Sequence, residues 1–263
     1  MTMDASVTMR FARAARSYQA GVALHEAVAD ALLARLPWPD ARDVGRILDL
    51  GCGTGVLTER MRRAYPQAHV TAIDAAASMV CGTAERMGAD PAFAAVTADV
   101  REYRSAQPFD VLASSSALHW MTPLQETAAH LAGMVRPGGH LRVALMIRGT
   151  LGELHGLRRR LFADLPPASQ LPEADEVTGA FSAARWRLVA VAEHAFRWRY
   201  ESVETFLGML HAQGLTGGSV SHGRRLLTRG ELRRLTEAYG RDHADPAGGV
   251  QATYRVLFMA ATR

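Results

Sequence analysis

Residues 48–55 read Leu-Asp-Leu-Gly-Cys-Gly-Thr-Gly, a short apolar run that breaks into three alternating glycines. Glycine at such a turn permits positive φ and lets a ligand come close to the backbone. The order is Gly51-x-Gly53-x-Gly55, whereas a dinucleotide fingerprint puts its third glycine one position later, where Val56 stands. Asp49 sits inside the motif, and a carboxylate there repels a pyrophosphate and attracts an ammonium. Asp74 closes the next apolar run and suits the two hydroxyls of a ribose. Asp99 closes a third run and can accept a hydrogen bond from the exocyclic amine of adenine. An amine, a ribose and an adenine, met in that chain order, are the parts of S-adenosylmethionine (SAM). A helix N-cap accounts for any one of these acids, but not for all three beside the glycine loop.

These groups must be positioned by a chain of 263 residues, 48% hydrophobic and 21% charged, with room for one large α/β domain or two small ones. No apolar run reaches the roughly 18–20 residues of a membrane span. Residues 1–16 are polar and Arg-punctuated, unlike a signal peptide, so a cytoplasmic protein is expected. All 30 basic residues are Arg, which excludes a Lys Schiff base and a Walker-type Lys. Two cysteines, Cys52 and Cys81, cannot build a disulfide framework or a Cys-rich zinc site. Cys52 is expected to pack inward as a small hydrophobe. The ten histidines show no metal-ligand spacing, with His119, His130 and His140 on different elements, so no metal is predicted. A net charge of +4 leans towards acidic partners. The Arg residues are spread along the chain, which speaks against nucleic acid.

Hydrophobic periodicity predicts strands at Arg46–Leu50, 69–73, Phe93–Thr97, 109–114 and 140–147, separated by helices at 54–65, 76–87 and 124–135. One or two Ala- and Leu-rich helices over 11–36 precede them, stopped by Pro37 and Pro39. Arg136-Pro137-Gly138-Gly139 reads as a tight turn. Alternating strands and helices imply a parallel sheet of βαβ units. Beyond Gly149, helices are expected at 151–163, 202–213 and 228–239, and strands at 186–196 and 253–260. The stretches 165–172 and 214–223 read as loops or lid segments.

The glycine loop, Asp74, Asp99, the Phe109-Asp110-Val111 strand and the Arg136–Gly139 turn together resemble the class I SAM-dependent methyltransferases. The resemblance implies an α/β, Rossmann-like, mostly parallel seven-stranded sheet with helices on both faces, whose last strand inserts antiparallel. It implies a single domain over 1–263: a helical cap at 1–40, a SAM-binding core at 46–148, substrate and lid elements at 149–252 and the last strand at 253–263. Ala75, Met79, Val100 and Ser115 join Asp49, Gly51, Gly53, Asp74 and Asp99 in the cofactor set. Ser114 and Ala117 are expected beside them.

The flanks resemble a narrower family, the malonyl-[acyl-carrier protein] O-methyltransferases that start biotin's pimeloyl chain. Phe11-Ala-Arg-Ala-Ala-Arg-Ser-Tyr18, Gly149-Thr-Leu-Gly-Glu-Leu-His155, Leu227-Thr-Arg-Gly-Glu-Leu232 and Thr253-Tyr-Arg-Val-Leu-Phe258 carry that likeness in order. By position, Tyr18 would cap the methionine end of SAM, and His119 and Trp120 would face the transferred methyl. The acceptor carboxylate is already ionised at neutral pH, so alignment, dryness and charge balance matter more than a general base. Arg148, just past the fifth strand, is the expected cation for that carboxylate. The implied partner is an acidic acyl carrier protein bearing malonyl-phosphopantetheine. It would be received by Arg158–Arg160 and by residues 222–234, with five Arg against Glu231. Another small acceptor, or SAM binding without turnover, would need the same core.

Overall fold

The computed structural model describes residues 19–163, 171–212 and 227–263. The strands are β1 (Arg46–Leu50), β2 (His69–Asp74), β3 (Phe93–Thr97), β4 (Phe109–Ser115), β5 (Val135–Met146), β6 (Arg187–Tyr200) and β7 (Val250–Thr262). The helices are α1 (Gln19–Arg35), α2 (Val56–Ala64), α3 (Ala77–Met87), α4 (Leu124–Met134), α5 (Gly152–Leu161), α6 (Ala174–Ala183), α7 (Val203–Ala212) and α8 (Arg229–Asp242). All seven strands join one sheet in the order β3-β2-β1-β4-β5-β7-β6. The first five run parallel, and β7 inserts antiparallel between β5 and β6.

Both faces of the sheet are covered, and the period-2 alternation of the strands divides their side chains between them. Ile47, Val111, Tyr254, Val256 and Phe258 pack on one side with α1, α2, α5, α7 and α8. Leu48, Leu50, Leu112, Leu257 and Met259 pack on the other with α4 and α6. The long strand β7 therefore contributes to both layers, and its alternation extends past the expected ends in both directions.

Three local expectations are corrected. The helix expected from residue 54 begins at Val56, because Gly53 (φ 56°) and Gly55 (φ 83°) hold the preceding turn in the left-handed region. The expected turn at Arg136–Gly139 is absorbed into β5, which starts at Val135. A register shift between Phe109 and Val111 accommodates it, and Arg136 pairs with Asp110. Helix α6 was not expected. Its start is fixed by a capping box, in which the Glu173 amide donates to Glu176 Oε2 at 2.7 Å. Its Val177 and Phe181 bury beside Trp186, whose Nε1 donates to the Ala128 carbonyl at 2.9 Å. Of the expected N-terminal helix, residues 19–35 form α1, and 11–18 lie outside the described residues, as do most of the two expected loops. No helix among the described residues is long and apolar enough to cross a membrane.

Candidate active site

The winding of the sheet reverses between β1 and β4, and a cleft partly open to solvent lies at the carboxyl ends of these strands. Open α/β sheets bind ligands at such a point. The cleft is lined by Asp49, Gly51, Gly53, Asp74, Ala75, Met79, Asp99, Val100 and Ser115, so the fold brings together every expected cofactor residue that it describes. Tyr18 lies outside the described residues.

The glycine loop is tied to β2 by its own amides, since Gly51 and Cys52 both donate to the Ile73 carbonyl, at 2.8 and 2.9 Å. A Cβ on Gly51 would stand 2.4 Å from that of Ala117, so the loop passes too close to the segment after β4 for any side chain. Gly53 has nothing within 4 Å of that position and faces the cleft. Asp74 steadies the loop from below: the Gly53 amide donates to Oδ2 at 3.0 Å and the Ala76 amide to Oδ1 at 2.9 Å. Burial raises the Asp74 pKa against the pull of those two bonds.

Asp49 is 1% exposed. Thr58 Oγ1 donates to its Oδ2 at 2.6 Å, while Oδ1 is buried with no hydrogen-bond partner. Burial pushes this carboxyl up to about 7, with the Asp74 charge adding to the effect and Thr58 opposing it. An orphaned, buried carboxylate oxygen on a cleft-lining residue lacks a donor, and the ammonium of SAM fits that need. Thr54, Ser115 and Ser116 also line the cleft and each has a buried hydroxyl without a partner. Ser116 is held at φ 60°, a strained position for a residue with a side chain, at the cleft wall. Asp99 is committed differently. Burial raises its pKa, but Arg101 donates to Oδ1 at 3.0 Å and to Oδ2 at 2.7 Å and holds the carboxyl below its usual range.

Other expected residues fall elsewhere. Ser114 is fully buried and donates to the Leu50 carbonyl at 2.8 Å, fastening β4 to β1 rather than lining the cleft. His119 is buried behind the lining. Its Nδ1 accepts the Met146 amide at 3.3 Å, which leaves the ring proton on Nε2, and its ring lies 5.0 Å from that of Trp120, which does line the cleft. Burial takes the His119 pKa down to about 3. Arg148 is outside the lining, with 58% of its side chain exposed, and it pairs with Glu173 at 3.2 Å and Glu176 at 3.9 Å. The α6 N-terminus, absent from the sequence reading, supplies those acids. Cys52 is buried as expected, and burial pushes its thiol pKa up.

Sequence reasoning missed His25, which α1 brings to the cleft half-buried, its pKa lowered to about 4 by burial. It sits between core residues Leu24 and Val28 in an Ala-rich helix, and no spacing marks it. Ser116 was missed too, though the Ser114-Ser115-Ser116 run ending a parallel strand was a usable signal.

A methyltransferase-domain profile matches residues 47–139. Over nearly its whole length the chain is similar to a malonyl-[acyl-carrier protein] O-methyltransferase of Enterobacter lignolyticus. The two are 31% identical over 263 residues, covering 98% of this chain and 97% of that one. Among solved structures, a Bacillus halodurans protein classed provisionally as a methyltransferase superposes with a TM-score of 0.60 at 10% identity, over 89% of this chain and 97% of that one. A geranyl diphosphate methyltransferase in complex with SAM gives 0.52 at 15% identity, over 90% and 85%. At these identities the solved structures speak to the fold alone.

Proposed function

Since the chain belongs to the class I SAM-dependent methyltransferases, we propose that it methylates the free carboxylate of a malonyl thioester on an acyl carrier protein, priming pimeloyl-chain synthesis for biotin. The observation that carries this reading is the extent of the likeness. The 98% coverage takes in α1 and the elements after β5, outside the 47–139 methyltransferase profile. Those are the parts of the chain that differ between acceptors.

The two histidines at the cleft suit an acceptor that needs no base. His25 and the His119 behind it, with pKa values lowered to about 4 and about 3 by burial, are neutral and weakly basic at pH 7. A hydroxyl or carbon acceptor needs a proton removed, whereas a carboxylate with a reference pKa near 4 arrives ionised. Bound SAM supplies an activated methyl group on its sulfonium. Asp49, the glycine loop and Asp74 hold and orient it, and Val56, Leu57, Trp120 and Met121 form an apolar wall that limits water beside the reacting groups. In this reading Tyr18 closes the methionine end.

Malonyl-carrier protein incubated with SAM and the purified chain is expected to gain a methyl ester on its malonyl group, read by mass spectrometry. Acetyl-carrier protein gains nothing. SAM binding in calorimetry without any ester would send the search to other acceptors.

The carrier protein is acidic in this reading, and exposed Arg159 and Arg229 belong to the two basic stretches that would receive it. Arg224 and Arg225 lie outside the described residues. Reversing Arg224, Arg225 and Arg229 to Glu raises KM for the carrier substrate and flattens its salt dependence. An unaltered KM counts against docking there.

A further inference from the structure

Burial pushes the guanidinium pKa down at two arginines, Arg142 and Arg158, and the fold answers them differently. Arg142, on β5, is surrounded by acceptors. Its Nε donates to the Pro37 carbonyl at 2.5 Å, and its Nη1 to those of Leu141 and Ala261 at 2.8 and 3.1 Å. Arg158, on α5, is half-buried with Nε shut off from solvent and without a hydrogen-bond partner. Among the described residues, the acids on and beside α5 are already taken. Glu153 accepts from the amide and hydroxyl of Thr253 on β7, and on α8 Asp242 pairs with Arg160 and Arg241, and Glu237 with Arg233. One turn before Arg158, His155 is half-buried with its Nδ1 likewise orphaned. Burial, together with Arg158 and Arg159, lowers its pKa to about 4.

The i, i+3 spacing puts His155 and Arg158 on one face of α5. The adjoining Leu154 and Leu157 pack in the apolar cluster that holds Leu24 of α1 and Val56 and Leu57 of α2. Helices α1 and α2 supply His25, Val56 and Leu57 to the cofactor cleft. A half-buried cation with no counter-ion among the described residues is costly, and an arriving anion with two oxygens relieves that cost through the planar fork of an arginine.

We propose that Arg158, seconded by His155 as the Nδ1–H tautomer, is the subsite for an oxyanion of the acceptor substrate. The proposal rests on the thioester reading for what carries the anion, which is either the malonyl carboxylate or the phosphodiester of the pantetheine arm. Arg158, like Arg148, lies outside the residues that line the cofactor cleft, but it has no carboxylate partner among the described residues, so the part that the sequence suggested for Arg148 passes to it.

The experiment compares wild type with Arg158→Gln, and with Arg158→Met, which keeps the apolar stem should the first variant fold poorly. Two substrates are used: malonyl-carrier protein, and the N-acetylcysteamine thioester of malonate, which has the carboxylate and no phosphate. SAM affinity is expected to be unchanged, and KM for the carrier substrate to rise at least about tenfold. An equal rise with the small thioester identifies the carboxylate as the anion. An unchanged KM there identifies the phosphodiester. Unchanged KM for both substrates overturns the subsite. If wild type methylates neither substrate, the thioester reading fails. The subsite is then read by titrating malonate and inorganic phosphate against the His155 imidazole signals in NMR. A response in wild type that is lost in Arg158→Gln upholds it, and no response in wild type, or one that survives in the variant, overturns it.

Discussion

Asp49→Asn weakens SAM binding about a hundredfold and removes its pH dependence near neutrality. The expectation follows from the buried carboxyl of Asp49 on β1, a cleft-lining residue whose Oδ1 has no hydrogen-bond partner. A charge-assisted hydrogen bond to an ammonium at such a site contributes about 3 kcal/mol, roughly two powers of ten in affinity. In the ligand-free protein burial lifts this group to about 7. Only its ionised form takes the ammonium, so wild-type affinity falls roughly tenfold per pH unit below that value. The α-amino group of the ligand, with a reference value near 8, sheds its own proton above it. Wild-type affinity therefore peaks between about 7 and 8. His25 and His119, lowered to about 4 and about 3, do not titrate in that window. The same shift has a stability counterpart. The folded state holds the Asp49 proton more tightly than the unfolded chain, so stability declines as pH rises from the free-aspartate value to about 7. The ligand-free Asn variant should accordingly melt higher than wild type at pH 8. Calorimetric titration with SAM between pH 5.5 and 8.5 tests the binding claim, and an unchanged profile in the variant refutes it.

Gly51→Ala and Gly53→Ala separate folding from binding within a single loop. At Gly51 the new methyl meets the Ala117 Cβ at 2.4 Å and the residue is held at φ 67°. Overpacking and left-handed strain together cost about 2–4 kcal/mol, which for a chain of this size lowers Tm by roughly 5–15 °C. At Gly53 only the strain applies, about 1 kcal/mol, since nothing stands within 4 Å. Its methyl projects into space that the cofactor is expected to use. Gly53→Ala should therefore remain folded, within a few degrees of wild type, and lose SAM affinity. Thermal melts paired with calorimetry decide the matter. Equal Tm losses in the two variants would mean that the Gly51–Ala117 approach is relieved by a small loop movement.

The cofactor half of this site was legible in the residues because its constraints are local. Apolar runs of parallel-strand length end in Asp49, Asp74 and Asp99, and the three glycines of the first turn admit few backbone paths. The seven-stranded sheet and the antiparallel entry of its last strand followed from the methyltransferase resemblance rather than from periodicity, and the strand order came only from the structure. Helix α6 escaped because its start depends on the reciprocal Glu173–Glu176 capping box, which composition alone does not distinguish from an acidic loop.

What the chain order could not supply was the company each group keeps. His25 reaches the cleft because α1 packs across the sheet, and it shares that cleft with Asp49 and Asp74 from other elements. Arg148 and Arg158 are alike on paper, two arginines in the stretch that follows β5. Folding gives the first a pair of carboxylates from the start of α6 and leaves the second half-buried without one among the described residues. Ser114 and Ser115 are adjacent, yet strand alternation turns one to the Leu50 carbonyl and the other to the cleft. Residue type and spacing specified the strands, the glycine turn and the three acids, since those depend on neighbours along the chain. Desolvation, pairing and pKa depend on neighbours through space, and only the packed structure determines them.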